Sequence, residues 1–297
     1  MTDREPDYRP QNPRSPLPAA VLVVVLALAA FFGWRWWQQQ GAPDAVPVPA
    51  ATAPAPEDRP DAPPVPAAGA GPQNPVEVIA EPGAGLPALD DADAPVRAAL
   101  AGLIGAGRVA EFLQIDGFVR RMVATVDNLP RGHAAPSRWP VRPTPGRITL
   151  QGEGDLQTLG PDNGARYTAF VRFAESVDSA AGARVYARLY PLFQQAYEEL
   201  GYPGRYFNDR LIAAIDHLLV APEATEPLVI RLVEVRGEVP SERPWVRYEY
   251  ADPRLESLSA GHKLMLRMGT DNAQRLKAVL RNWRGQLARA PAARPVQ

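Results

Sequence analysis

Cysteine is absent from this chain of 297 residues, which excludes disulfides and thiolate metal sites. The absence is compatible with either side of a membrane, so compartment must be read from other features. Histidine is almost missing too, and His133, His217 and His262 lie too far apart in sequence to suggest a metal centre. Lysine occurs only at Lys263 and Lys277 against 30 Arg, a habit of composition rather than a signal. Strong charge of one sign is lacking as well. Formal net charge is -1, and from Ala88 onward 27 Lys/Arg stand against 24 Asp/Glu, too balanced for a nucleic-acid partner. No His-Glu-x-x-His, Gly-x-Ser-x-Gly or P-loop pattern occurs. No cofactor and no metal is therefore expected, and no residue is assigned a catalytic role.

Long apolar runs are scarce, with one exception. From Ala19 to Phe32 every residue is apolar, and with Leu17 and the flanking Trp34, Trp36 and Trp37 the segment reaches about 20 residues, roughly 30 Å as a helix. Residues 19–37 are read as a transmembrane helix with an interfacial tryptophan belt. The rival is a signal peptide cut after Ala27-Leu28-Ala29, but residues 1–18 carry both charge signs, unlike a basic leader. Arg4, Arg9 and Arg14 precede the span and Arg35 alone comes closely after it. That asymmetry predicts a cytoplasmic tail and an inner membrane protein with its bulk in the periplasm.

Proline is abundant instead, at 34 residues, and 13 of them fall between Gly41 and Pro87 together with 12 Ala. Such a stretch buries too little surface to offset the entropy of ordering, so residues 38–87 are read as a disordered linker. Extended at about 3.1 Å per residue, it would reach on the order of 140 Å. The plainer reading is a solvated spacer with no fixed length requirement.

Residues 88–290 are expected to form one domain, mainly α with a minor α+β part, ahead of a tail at 291–297. Asp93 and Pro95 open a first helix to about Ile104. Gly102, Gly105 and Gly107 have no preceding strand, so they mark a helix stop and not a dinucleotide loop. Two more helices come next, ending near Asn128. The centre is a helical hairpin: Val185, Leu189, Leu192, Phe193, Ala196 and Leu200 recur at helical spacing, then Leu211, Ile212, Ile215, Leu218 and Leu219. Pro191, inside the first of these helices, predicts a kink between Arg188 and Leu192 and not a break, because the apolar face continues in phase from Val185 to Leu200. Ile148–Leu150 with Leu156–Leu159, and Leu228–Arg236 with Trp245–Tyr250, read as two small antiparallel strand pairs. Gly160-Pro-Asp-Asn and Gly269-Thr-Asp-Asn share residues that start helices. No 34-residue period supports a solenoid.

Three places invite chemistry. The turn Gly201-Tyr-Pro-Gly-Arg-Tyr-Phe-Asn-Asp209 gathers Tyr202, Arg205, Tyr206 and Asn208, where Arg205 pairs an anion and Asn208 or Asp209 caps the next helix. Turn chemistry alone accounts for these residues equally well. The segment Leu129–Arg147 has no acid and carries Arg138, Trp139 and Arg142, a strap packed through Trp139 or a cationic site for a glycan, lipid or phosphate. Asp216-His217 suggests an acid-base pair, but the apolar stripe centred on Ile215 puts His217 on the solvent side with Arg210.

The run Leu189–Leu211, with Ala124-Thr-Val-Asp-Asn-Leu-Pro130, Ile215-Asp-His-Leu-Leu219, Tyr248-Glu-Tyr-Ala-Asp-Pro253 and Leu258–Gly269, resembles the bacterial domain-of-unknown-function family 3014 over most of Leu86 to Leu287. The resemblance implies a single-pass anchor, a Pro/Ala-rich spacer and an outer domain. It brings no activity and no catalytic residues. The resulting expectation is a membrane-tethered envelope adaptor that binds a protein or cell-wall component. The alternative is an envelope hydrolase of glycan or lipid, which requires convergence of at least two of Tyr197, Arg205, Asp209, Asp216 and Glu249 in a cleft.

Overall fold

Helix after helix wraps one long central helix, in a computed structural model that describes residues 71–79, 85–154, 156–224, 227–233 and 248–288. The chain divides into two units, Met1–Glu57 and Asp58–Gln297, and every described residue belongs to the second. The expected tail, the membrane helix, the linker up to residue 70 and the tail at 291–297 lie outside the described residues.

The helices are α1 (Asp93–Ile104), α2 (Ala106–Phe112), α3 (Phe118–Asn128), α4 (Ala165–Glu175), α5 (Ser179–Glu199), α6 (Phe207–Leu219), α7 (Pro253–Glu256), α8 (Ala260–Arg267) and α9 (Thr270–Leu287). Gly105, at φ 87°, separates α1 from α2, where only glycine holds that backbone without strain. Asp93 heads α1 but does not cap it. Its carboxylate accepts the Gly117 N–H at 2.9 Å and so anchors the start of α3.

α5 is the hub, packing against α1, α3, α6 and α9. Asp178 caps its first turn by accepting from Ala181 N–H at 2.7 Å. The helix runs unbroken through Pro191, which stands on the exposed side and takes no room from the core; a break there is excluded. Tyr190 and Phe193 flank the proline and are buried, with Phe193 stacked on Phe207 of α6 at 5.9 Å.

The two expected strand pairs are one sheet. β1 (Leu150–Gln151), β2 (Leu156–Leu159), β3 (Val229–Leu232) and β4 (Tyr248–Tyr250) run antiparallel in that order, with Leu156 opposite Arg231 and Thr158 opposite Val229. Pairing β2 with β3 satisfies backbone groups that two isolated hairpins would leave open. Leu228, Ile230 and Tyr250 pack one face of the sheet against Leu266 of α8.

The two Gly-x-Asp-Asn runs lie against each other. The Asn163 amide donates to the Arg267 carbonyl at 2.7 Å, and the Asn272 amide donates to Gly164 O at 2.8 Å and Met268 O at 3.0 Å. Their shared residues thus clasp two helix starts together, beyond the local initiation read from the sequence. Gly164 is required by the approach, since a Cβ there would meet Met268 O at 3.0 Å.

The composition boundary at Pro87 is displaced. Residues 71–79 are seated on the domain, with Val76 buried in the main core and partly buried Ile79 and Leu86 beside it. Polar contacts explain how so Pro-rich a stretch is held. Asp209 accepts from Gln73 N–H at 3.0 Å and from Asn74 N–H and Nδ2 at 2.9 Å each, and Asn208 Nδ2 donates to Asn74 O at 2.8 Å.

Candidate functional site

The turn between α5 and α6 is built by α5 itself. Gly201 and Gly204 adopt φ of 111° and 69°, which lets the chain reverse over four residues. Gln194, one turn before the end of α5, then fixes the entry into α6: its Oε1 accepts the Phe207 N–H at 3.0 Å and its Nε2 donates to Arg205 O at 2.7 Å. Gln194 therefore caps α6. Neither Asn208 nor Asp209 does so, because both turn toward residues 73–74 and α6 has no capping bond from its own N-cap residue Tyr206. Tyr202 stacks on Tyr197 at 4.6 Å, and the Arg205 guanidinium lies 5.8 Å from the Tyr202 ring. Arg205 makes no ion pair among the described residues, and Tyr206 is half-buried.

Beneath this turn lies a charge network that the sequence reading missed. Arg210, 1 % exposed, donates through Nε to Asp127 Oδ1 at 3.1 Å and through an Nη to Asp127 O at 2.8 Å. Arg131 donates to the same carboxylate at 3.1 Å and to the Tyr202 hydroxyl at 2.7 Å, and that hydroxyl donates to Asp127 Oδ2 at 3.2 Å. The expected solvent-side position of Arg210 is thus overturned, because α6 is covered on both sides, by α3 and by α5. Tyr197, fully buried, has a hydroxyl without a hydrogen-bond partner among the described residues. Burial pushes its phenol up to about 12.

His217 is corrected in the same way. Its Nε2 lies 2.8 Å from Ser259 Oγ and its ring stacks on His262 at 4.0 Å, so it is packed between α6 and α8. His262 Nε2 sits 2.6 Å from the His217 carbonyl and must carry the proton there. Asp216 points elsewhere and pairs with Arg284 of α9. Glu249 pairs with Arg231 on the sheet, and Asp209 holds residues 73–74. Of the five groups the hydrolase expectation needs, only Tyr197 and Arg205 share a neighbour, Tyr202, and Tyr197 is sealed in the core. No cluster of His, Asp or Glu able to hold a metal occurs among the described residues.

The basic segment behaves as a strap. Leu113 bridges Val141, Gln114 N–H donates to Pro140 O at 2.8 Å, and Arg142 N–H donates to Phe112 O at 2.8 Å. Farther along, Arg166 of α4 holds Pro145 O at 3.0 Å and Gly146 O at 3.1 Å. Trp139 is half-buried, and its indole N–H has no partner among the described residues. Arg138 and Arg142 are exposed, so the strap presents cations as well as packing.

What the strap helps to wall is a concave site of about 370 Å³. Its sides come from α1, α4, α5 and α9, with Pro140 and Val141 of the strap at one edge and Leu211 and Ile215 of α6 at the inner end. Among its lining residues only Tyr186 and Trp283 carry polar side-chain atoms, and Tyr186 spends its hydroxyl on Asn208 at 3.3 Å. Gly182 shapes the wall: a Cβ there would fall 2.3 Å from the Trp283 ring. A volume of this size lies within the roughly 300–1,000 Å³ range of small-molecule sites. The helical periodicity of α1, α4 and α9 marked their apolar faces, but not that these faces leave space between them.

Comparison with curated proteins and with solved structures found no match. Residues 118–284 match the model of the family described as a protein of unknown function, DUF3014. The match spans α3 to α9 and includes the strap, the buried Asp127–Arg210 pair and the α5–α6 hairpin. The chain belongs to the DUF3014 family.

Proposed function

We propose that this chain is a membrane-tethered adaptor of the cell envelope, whose domain captures a partner in a preformed groove and does not transform it. The observation that carries this reading is the apolar site of about 370 Å³ between α1, α4, α5 and α9. The ionisable groups nearest the turn serve as braces: Asp127, Arg131 and Arg210 hold each other, and Asp209 holds the incoming chain. The tether is supported by the apolar run Ala19–Phe32 and its Trp cluster, and the periplasmic placement by the Arg asymmetry around it.

Two measurements test the reading in cells. A photoreactive residue at Val177, which lines the groove, is expected to give a discrete adduct, whereas one at exposed Asp178 beside it gives none. Equal labelling from both positions, or none from Val177, overturns the binding role. A reporter active only outside the cytoplasm, fused after Gln297, is expected to give signal; signal from its cytoplasmic counterpart instead would reverse the topology.

A further inference from the structure

We infer that the occupant of the groove is the alkyl chain of an anionic amphiphile, its charged end held against a basic rim formed by Arg108 and Arg142. This deepens the binding role proposed above and rests on it, naming the ligand class. The wall grades from half-buried Leu103, Phe173 and Val177 to buried Leu189, Leu211 and Ile215, so the site is deep and apolar throughout. A ligand carrying polar groups into it would surrender their bonds to water without replacement, a cost an alkyl chain does not meet.

The rim supplies the charge. Phe112 stacks on Phe173 at 4.4 Å, and two arginines border Phe112, Arg108 by helix spacing and Arg142 by a backbone bond. Arg108, one turn earlier on α2, reaches across to Ser176 Oγ at 3.0 Å, between groove residues Ala174 and Val177. Arg142 comes directly after groove residue Val141 and is tied through its backbone to Phe112 O at 2.8 Å. Arg142 also lines a second hollow, of about 570 Å³, together with Arg97, and the two hollows share Leu113. None of these three guanidinium groups has a carboxylate partner among the described residues. The neighbouring acids are Glu111 on α2, Asp116 in the second hollow, Asp178 beside Val177 and Glu175, the last already held by Arg275 at 2.6 Å. Arg108, bonded to the neutral hydroxyl of Ser176 between two groove residues, favours a carboxylate or phosphate head there.

The test supplies cells making the full chain with a long-chain fatty acid bearing a diazirine in its chain, illuminates them and maps adducts by peptide mass. Adducts are expected on α4 and α9 around Ala174, Val177 and Leu280, and their masses distinguish a free fatty acid from a phospholipid built from it. Ala174→Leu, which fills the groove, is expected to cut this labelling by about tenfold or more, the loss from shutting out two methylenes. Arg108→Gln with Arg142→Gln changes exposed residues only, and is expected to lower groove labelling several-fold while the unfolding midpoint holds. Labelling of residues 19–37 without labelling of the groove overturns the inference and leaves the tethered adaptor standing, as does a protein adduct at Val177. Labelling at neither place removes the membrane tether too.

Discussion

Asp127 and Arg210 meet where neither is easily replaced. Breaking a buried pair leaves one charge uncompensated, and Asp127→Ala, which strands the guanidinium of Arg210, is expected to cost about 3–5 kcal/mol in denaturant unfolding of the full chain. Asp127→Leu with Arg210→Met is expected to recover most of that loss, since apolar side chains of similar size need no partner. Equal destabilisation by the double variant would show that packing alone, and not the charge, is at stake. Nothing local announced this pair. The partners are 83 residues apart, and the helical pattern of α6 assigns an arginine to solvent because it registers side-chain hydropathy and not what a distant helix offers. His217 escaped for the same reason, as Ser259 and His262 that enclose it come from the N-cap and first turn of α8.

Helices were legible wherever apolar residues repeat, and α1, α3, α5, α6 and α9 stand close to where the pattern puts them. Relations between elements were not. The strand pairs were found separately, but the β2–β3 pairing that makes them one sheet links segments about 70 residues apart, with no local signal. The end of the linker is a subtler case. Its composition cannot drive folding, yet Asp209 and Asn208 bind its backbone directly, which composition does not record. Asp209→Ala removes the acceptor of three N–H groups, and hydrogen exchange at Gln73 and Asn74 is expected to rise to the rate of open chain while α5 stays protected. Unchanged exchange would mean that Val76 and the Asn208 bond to Asn74 O hold the segment without Asp209. Of the candidate site, the turn and the basic strap were marked by their residues. The groove was not, because a cavity is a property of surfaces that fail to meet.

Across the whole domain the buried phenols set an upper limit on pH. Tyr197 and Tyr250 are pushed up to about 12 by burial, and burial raises Tyr186 and Tyr190 as well. A folded phenol above its ordinary value of about 10 binds its proton longer than the unfolded one, so its contribution is intact below pH 10 and is lost as pH rises from there toward 12. The unfolding midpoint is expected to fall through that window, with these four rings titrating last in phenolate absorbance. Titration of all nine tyrosines together near pH 10 would contradict their burial. The clasp at Asp209 has a mechanical meaning as well. On the tethered reading, tension arriving along the chain from the membrane side reaches Gln73 and Asn74 first among the described residues, and it must strip their bonds to α6 before it can load the helix bundle. The clasp then acts as a fuse, parting under pull while Val76, next in line, still plugs the core and the domain keeps its shape.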